Sequence, residues 1–427
     1  MSASGTGESM HGLMRELFPI CRSITGDGVR RTLRVLAERI PLELHEVATG
    51  TRVLDWEVPN EWNIREAWIA GPDGRRVVDF ADHTLHVLNY SVPVRRRLAR
   101  AELEEHLFSL PEHPDWIPYR TSYYNETWGF CLPHRLRTEL PDGEYEVCID
   151  ADLEPGSLTY GEAVLPGESA EEVLLSCHCC HPSLANDNLS GLVVMTELAR
   201  HLAALESRRY TYRFLFIPGT IGSITWLALN AEAVGRVRHG LVAANLGHGP
   251  FHYKRSRRGD AEIDRAVEHV LAAAGEEHAI EDFVPFGYDE RQYCSPGFDL
   301  PVGSMTRTPW GRYPEYHTSA DNLEFVRPEA LDGSLKCYLK VMEVLERNRR
   351  YRNLSPKGEP QLGRRGLYRK VGGDDKGRER ELALLWVLNL SDGEHDLLDV
   401  AQRSGIPFDT IAEAAEALVA ADLLQAL

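Results

Sequence analysis

Two apolar runs, Val173–Leu175 and Leu192–Leu202, bracket a dense group of metal-ligating side chains. Between them the chain reads Ser176-Cys177-His178-Cys179-Cys180-His181-Pro182-Ser183-Leu184-Ala185-Asn186-Asp187-Asn188-Leu189-Ser190-Gly191. The first run fits a strand and the second a helix. A strand that ends in imidazoles and a carboxylate and then enters a helix is a common way to build a metal site. Zinc takes those donors, so the segment points to a zinc hydrolase.

The rest of the chain supports an α/β architecture. Residues 9–40 read as helix broken by the turn Ser23-Ile24-Thr25-Gly26-Asp27-Gly28. From Trp128 to Arg347, strands are expected at Val173–Cys177, Tyr212–Ile217 and Gly240–Leu246. Helices are expected at Leu192–Leu202, Ile221–Ala233 and Ile263–Ala274. That alternation predicts a layered sandwich around a mixed sheet. Residues 46–124 change character, with short alternating runs such as Val77-Val78-Asp79-Phe80 and turn signals such as Gly71-Pro72-Asp73-Gly74. They read as a β-rich insert within a core of residues 1–45 and 125–350. A linker is expected over 351–378, carrying Pro356 and Pro360. The tail, 379–427, has helical runs at Leu382–Leu390, His395–Arg403 and Phe408–Ala420, with a Ser404-Gly405-Ile406-Pro407 turn. That spacing fits a winged helix.

Charge narrows the partners. The net charge of -18 argues against a general nucleic-acid or anionic-membrane binder. The tail sharpens this, because its candidate recognition helix carries Asp409, Glu413 and Glu416 where phosphate contacts need cations. Arg403 is the only Lys or Arg from Glu381 onward. A packing or homo-oligomerisation module is the expectation. No apolar run reaches the ~20 residues that span a bilayer, and the first residues lack a secretory pattern. The expected location is cytoplasmic, where the eight cysteines would be reduced and mostly buried. The basic run Lys254–Arg258 reads as a solvated face or an anion contact.

A second polar segment, Pro314-Glu315-Tyr316-His317-Thr318-Ser319-Ala320-Asp321-Asn322, offers His317 as a distant ligand. Together with the His178–Gly191 segment, Tyr253–Gly259, Asp289–Gly297 and Trp386–Asp392, it carries a resemblance over nearly the whole chain. The chain resembles a bacterial aminopeptidase-like family with a zinc-aminopeptidase-like core, an inserted β-rich domain and a C-terminal winged helix. The core is in turn similar to the di-zinc aminopeptidase clan. The resemblance implies that Asp187 bridges metals, that His317 binds one of them, and that the setting is polysaccharide or natural-product biosynthesis.

Two positions depart from the family pattern. The family strand ends with a glutamate in the metal and base region, and here Gly219 stands in Phe216-Ile217-Pro218-Gly219-Thr220. A family aspartate ligand falls in Asn245-Leu246-Gly247-His248, with His248 in its place. The expected metal set is His178, His181, Asp187, His248 and His317, with the first ligand either His178 or His181. One or two zinc ions fit the family, whereas a histidine-rich set with one carboxylate suits a single ion and equally non-haem iron. Asp289, Glu290, Glu315 and Asp321 are candidates to replace the missing acid. Arg291, Tyr293 and Arg307 are candidates to bind a substrate carboxylate. Three functions compete: a divergent hydrolase of an amide bond in a small or peptide-like substrate, a mononuclear metal enzyme of other chemistry, and an inactive metal-binding scaffold.

Overall fold

A computed structural model describes residues 3–368 and 375–427. The part of the expected linker at 369–374 lies outside the described residues. The chain forms two compact units, one of Met1–Ala261 and Glu277–Lys336, the other of Glu262–Glu276 and Cys337–Leu427.

The first unit is built on an eight-stranded mixed sheet. Its centre is parallel: Thr211–Ile217, Glu172–His178, Val237–Ala243 and Val302–Thr306 lie side by side. Antiparallel strands extend both edges, Ser157–Leu165 and Glu43–Ala48 on one and Phe251–Lys254 on the other. His278–Glu281 closes that second edge. Every residue of Glu172–His178 is buried, as both faces of a central parallel strand must be. Burial of Glu172 is tolerated because Arg213 donates to it at 2.6 and 3.0 Å and Arg236 at 2.7 Å. The expected strand at Gly240–Leu246 sits earlier, at Val237–Ala243, which frees Ala244–His248 to form a loop at the sheet's carboxyl end. The expected helix Ile221–Ala233 is two helices, Ile221–Leu229 and Ala231–Arg236, broken at Asn230.

The insert is a four-stranded antiparallel sheet, in the order Arg76–Asp79, Glu61–Ala70, Glu144–Glu154, Val94–Ala99. Its longest strand, Glu144–Glu154, lies beyond the boundary at 124 read from the sequence. Tyr145, Val147 and Ile149 bury one face of that strand, while Glu144, Glu146 and Asp150 face the other way. Trp62 and Trp128 are core residues.

The second unit pairs Arg350–Asn353 with both Asp392–Asp396 and Leu424–Ala426 in a small antiparallel sheet. Helices Asp375–Leu390, Leu397–Ser404 and Phe408–Ala420 complete it. The expected linker therefore begins inside a strand, and the segment expected as helix from His395 starts as one. Asp396 caps Leu397–Ser404 and accepts from Arg265 at 2.7 Å. Acids of the last helix are paired within the unit, Asp409 with Lys340 at 2.7 Å and Glu416 with Arg347 at 3.0 Å.

Candidate metal centre

The site forms where the central strands end. His178 is the last residue of its strand, and the loop that follows turns back to set Asp187 beneath it. That loop is locked through its backbone. Asp321 accepts from the Asn186 amide at 2.6 Å and from the Asp187 amide at 2.9 Å, and its own carbonyl accepts from Ala185. The Asn188 amide group donates to the carbonyls of His178 and Ala243 at 3.2 and 3.1 Å, tying the loop to two strands. The His181 carbonyl accepts from the buried Arg22 at 2.8 Å.

Three imidazoles meet one carboxylate. His178 Nε2 lies 2.8 Å from Asp187 Oδ1. His181 Nδ1 lies 3.3 Å and His317 Nε2 2.9 Å from Asp187 Oδ2. The ligand atoms of His178, His181 and Asp187 all fall within 4.8 Å of one another. Asp187 is fully buried. Burial alone would raise its carboxyl, but His181 and His178 outweigh that and hold it well below the usual carboxylate range. Burial lowers His317, offset in part by Asp187.

Aromatic rings frame the cluster. Tyr316 stacks on His317 with centroids 3.9 Å apart, and Tyr288 stacks on His178 at 5.7 Å. Tyr119 meets His181 and His317 edge-on at 5.1 and 5.0 Å. Its amide donates to the His317 carbonyl at 2.8 Å, so the segment after the insert's first strands holds the distant histidine in place. His317 has a φ of 57°, an uncommon backbone state for a residue with a side chain, consistent with a position fixed from both sides. Nothing in the local sequence signals the roles of Tyr119, Tyr288 or Tyr316. Tyrosines are common in cores, and these act through neighbours far away in the chain.

The structure sorts the remaining expected residues. His248 does not join the cluster. Its ring stacks on Phe325 at 4.3 Å, and the charges it feels are those of Glu315, Arg327 and Arg307. Glu315 lies on that same side and does not line the cavity beside the histidines. Glu290 is fully buried and paired with Lys254 at 2.5 Å, so it balances a charge in the interior. Tyr293 is a core ring bonded to the Ser176 hydroxyl at 2.9 Å. Arg307 donates to Ser334 and to the Gly249 carbonyl at 3.0 and 2.7 Å and covers Phe251. Both oxygens of Asp321 are taken by the loop amides. Of the basic run Lys254–Arg258, Arg255 pairs with Asp282 and Arg257 and Arg258 with Asp299.

Asp289 and Arg291 do reach the site. They line a cavity of about 230 Å³ with His178, His181, His317, Gly219 and Tyr288. Asp289 Oδ1 accepts from the Ser223 hydroxyl at 2.9 Å. Burial pushes its carboxyl up to about 7; the Ser223 bond and the Arg291 charge lower it, and Glu290 raises it. A Cβ added at Gly219 would stand 3.3 Å from His178 Cβ and 3.4 Å from Asp289 Oδ2. The glycine thus lets the Asp289 carboxylate lie close to His178, where a side chain at 219 would crowd both.

The donor set fits a divalent ion. Three imidazoles and a carboxylate converge, which matches nitrogen and oxygen ligation of zinc or iron.

Comparison with known proteins fits this architecture. Residues 11–348 match a family described as a domain of unknown function (DUF4910), and residues 349–426 match a winged helix-turn-helix family. A Clostridium acetobutylicum protein, provisionally named a polysaccharide biosynthesis protein with an aminopeptidase-like domain, is 51% identical over 99% of this chain and 98% of its own. A crystal structure from the same species, provisionally classed as a peptidase, superposes with a TM-score of 0.94 at 50% identity, covering 100% of this chain and 97% of that one. A zinc aminopeptidase from Bacillus subtilis superposes with a TM-score of 0.59 over 80% of this chain and 94% of its own. Its 11% identity makes that a likeness of fold. With matches that span the core and the tail, the chain belongs to the aminopeptidase-like family defined by the DUF4910 domain and closed by a C-terminal winged helix.

Proposed function

We propose that this chain is a metal-dependent hydrolase of an amide bond in a small or peptide-like substrate. It would hold one divalent ion at His178, His181, Asp187 and His317. The observation that carries this reading is the Asp289 carboxylate, which lines the cavity beside the histidine cluster, against Gly219.

Amide hydrolysis needs three things: a polarised carbonyl, a group that takes a proton from water, and a route for that proton to the leaving nitrogen. A bound divalent ion would supply the Lewis acid. Asp289, poised near neutrality, suits the other two tasks. As the carboxylate it accepts a proton from the attacking water. As the acid it returns that proton to the nitrogen when the C–N bond breaks. Ser223 fixes its orientation. The rings of Tyr288, Tyr316 and Tyr119 hold the imidazoles and narrow access for bulk water.

A second reading rests on His178, His181 and Asp187 alone. Two imidazoles and a carboxylate are also the ligand set of mononuclear iron enzymes. Metal analysis of untagged full-length protein, with amide hydrolysis measured on the same preparation, separates the two. Zinc near one equivalent with cleavage of N-acyl or dipeptide substrates supports hydrolysis. Iron without cleavage supports the second reading, and protein that retains no metal under any loading condition removes both. The paired acids of the last helix and the acidic tail favour a packing role for the winged helix over nucleic-acid binding. Among the described residues, no helix is long and apolar enough to cross a membrane.

A further inference from the structure

The cavity carries a charge pattern that an aminopeptidase would not need. A substrate entering by its amino terminus brings an ammonium, which requires a free anion near the scissile bond. On the reading above the two carboxylates here have other tasks, Asp187 as a ligand and Asp289 as the proton carrier, so neither is left to hold an ammonium. Asp187 is enclosed by three imidazoles, and Asp289 accepts from Ser223. Neither Glu290, paired with Lys254, nor Glu315, on the His248 side, lines the cavity.

The cation is in the opposite condition. Arg291 is the one Lys or Arg among the residues that line the cavity. Its Nε is buried and makes no hydrogen bond, and its guanidinium rests over the Phe286 ring at 5.5 Å. Arg213 bonds two glutamates and Arg307 a hydroxyl and a carbonyl, and Arg22 and Arg100 each leave one nitrogen unpaired but bond through the others, whereas no hydrogen bond is made by the half-buried Arg291. A buried guanidinium donor without an acceptor is costly, and a carboxylate ligand would relieve that cost with two parallel bonds. Asp289 and Arg291 lie two residues apart, at the start of the short helix Glu290–Tyr293.

We infer that the substrate carries a free carboxylate held by Arg291, and that the group released by hydrolysis is an amino acid. This rests on the hydrolase reading and gives it a direction. The substrate class is an N-acyl amino acid or a peptide cut at its carboxyl-terminal residue. Water adds through oxygen to the acyl carbon, the C–N bond breaks, and one water proton passes by way of Asp289 to the departing nitrogen. The products are the acyl carboxylic acid and the free amino acid, with no other reactant.

Three substrate sets test this on the full-length, metal-loaded protein: N-acetyl amino acids, the same compounds capped as carboxamides, and amino acid anilides with a free amine. The expected preference is for the free acids over the capped compounds by about 100-fold in kcat/KM, the scale of a charge-assisted pair. In Arg291→Ala that preference collapses toward unity, chiefly through KM, and Arg291→Lys restores part of it. Calorimetric titration with N-acetyl amino acids gives a readout apart from turnover, with binding expected to the parent protein and lost in Arg291→Ala. Equal cleavage of free acids and capped compounds, or preference for the anilides, overturns the carboxylate site while leaving the hydrolase standing. Cleavage of none of the three sets, with carboxylate binding still dependent on Arg291, sinks the hydrolase and keeps the binding site. Binding that is indifferent to Arg291 overturns this inference outright.

Discussion

The two sides of the cavity hold their chemistry in different ways. On the Asp187 side every group depends on several others. The carboxylate meets three imidazoles, its backbone amide is bonded to Asp321, and Asn188 ties the loop to two strands. On the Gly219 side a single carboxylate, just before a helix of four residues, is steadied by one hydroxyl. A change on the first side breaks many contacts at once. On the second side any loop that reaches the same space can supply the acid. With a glycine at 219, Asp289 is the carboxylate that this side presents to the cavity.

Substitutions on each side should separate the two roles. The largest effect is expected for Asp187→Ala, which removes the group that gathers the imidazoles. Metal content measured on the purified variant should fall to background, and amide hydrolysis with it. His317→Ala should behave in the same direction with partial metal retention. Asp289→Asn should leave metal content intact while turnover drops by about 10²–10⁴, the range for loss of a general acid–base group. If Asp289→Asn lost its metal as well, the division between the two sides would be wrong.

A paired substitution sharpens the point. A side chain at 219 competes with Asp289 for one space, so Gly219→Glu alone should lower activity. Gly219→Glu combined with Asp289→Ala should exceed Asp289→Ala alone by about tenfold or more, because neighbouring positions couple. Smaller still is the effect of Ser223→Ala. The Ser223 bond lowers the Asp289 carboxyl, which stands at about 7. Its loss should move the rising, acid-side limb of the pH–rate profile to higher pH. A limb that stays in place would remove Asp289 as the titrating base.

The mildest expectation concerns stability. Asp289 has a folded-state value raised above the ~4 of an ordinary carboxyl. Its contribution to stability is therefore present at low pH and is lost as pH rises from about 4 to about 7. The melting temperature of Asp289→Asn, relative to the parent, should improve across that window.

Much of the ligand side was legible in the sequence because its residues are local and unusual. His178, His181 and Asp187 sit within one strand–loop–helix segment, and His317 lies in the other polar segment of the core. The acid side was less legible. Asp289 and Glu290 are adjacent carboxylates, and only the fold shows that Lys254 neutralises one while the other faces the cavity. His248 was misplaced because the strand before it ends at Ala243, so the loop carries the ring onto Phe325. Arg291, Tyr293 and Arg307 look alike as polar loop residues, and packing alone tells the open guanidinium from the two engaged groups. The insert's boundary was misread because Glu144–Glu154 pairs with strands some 50 to 90 residues earlier, a separation that local alternation does not reveal.

Anomalous diffraction from crystals of metal-loaded, full-length protein tests the central claim most directly. One peak per chain is expected, bounded by Asp187 and the His178, His181 and His317 imidazoles, with the Asp289 carboxylate nearby but outside the ligand shell. Two peaks bridged by Asp187, a peak at His248, or an ion bound by Asp289 would contradict it.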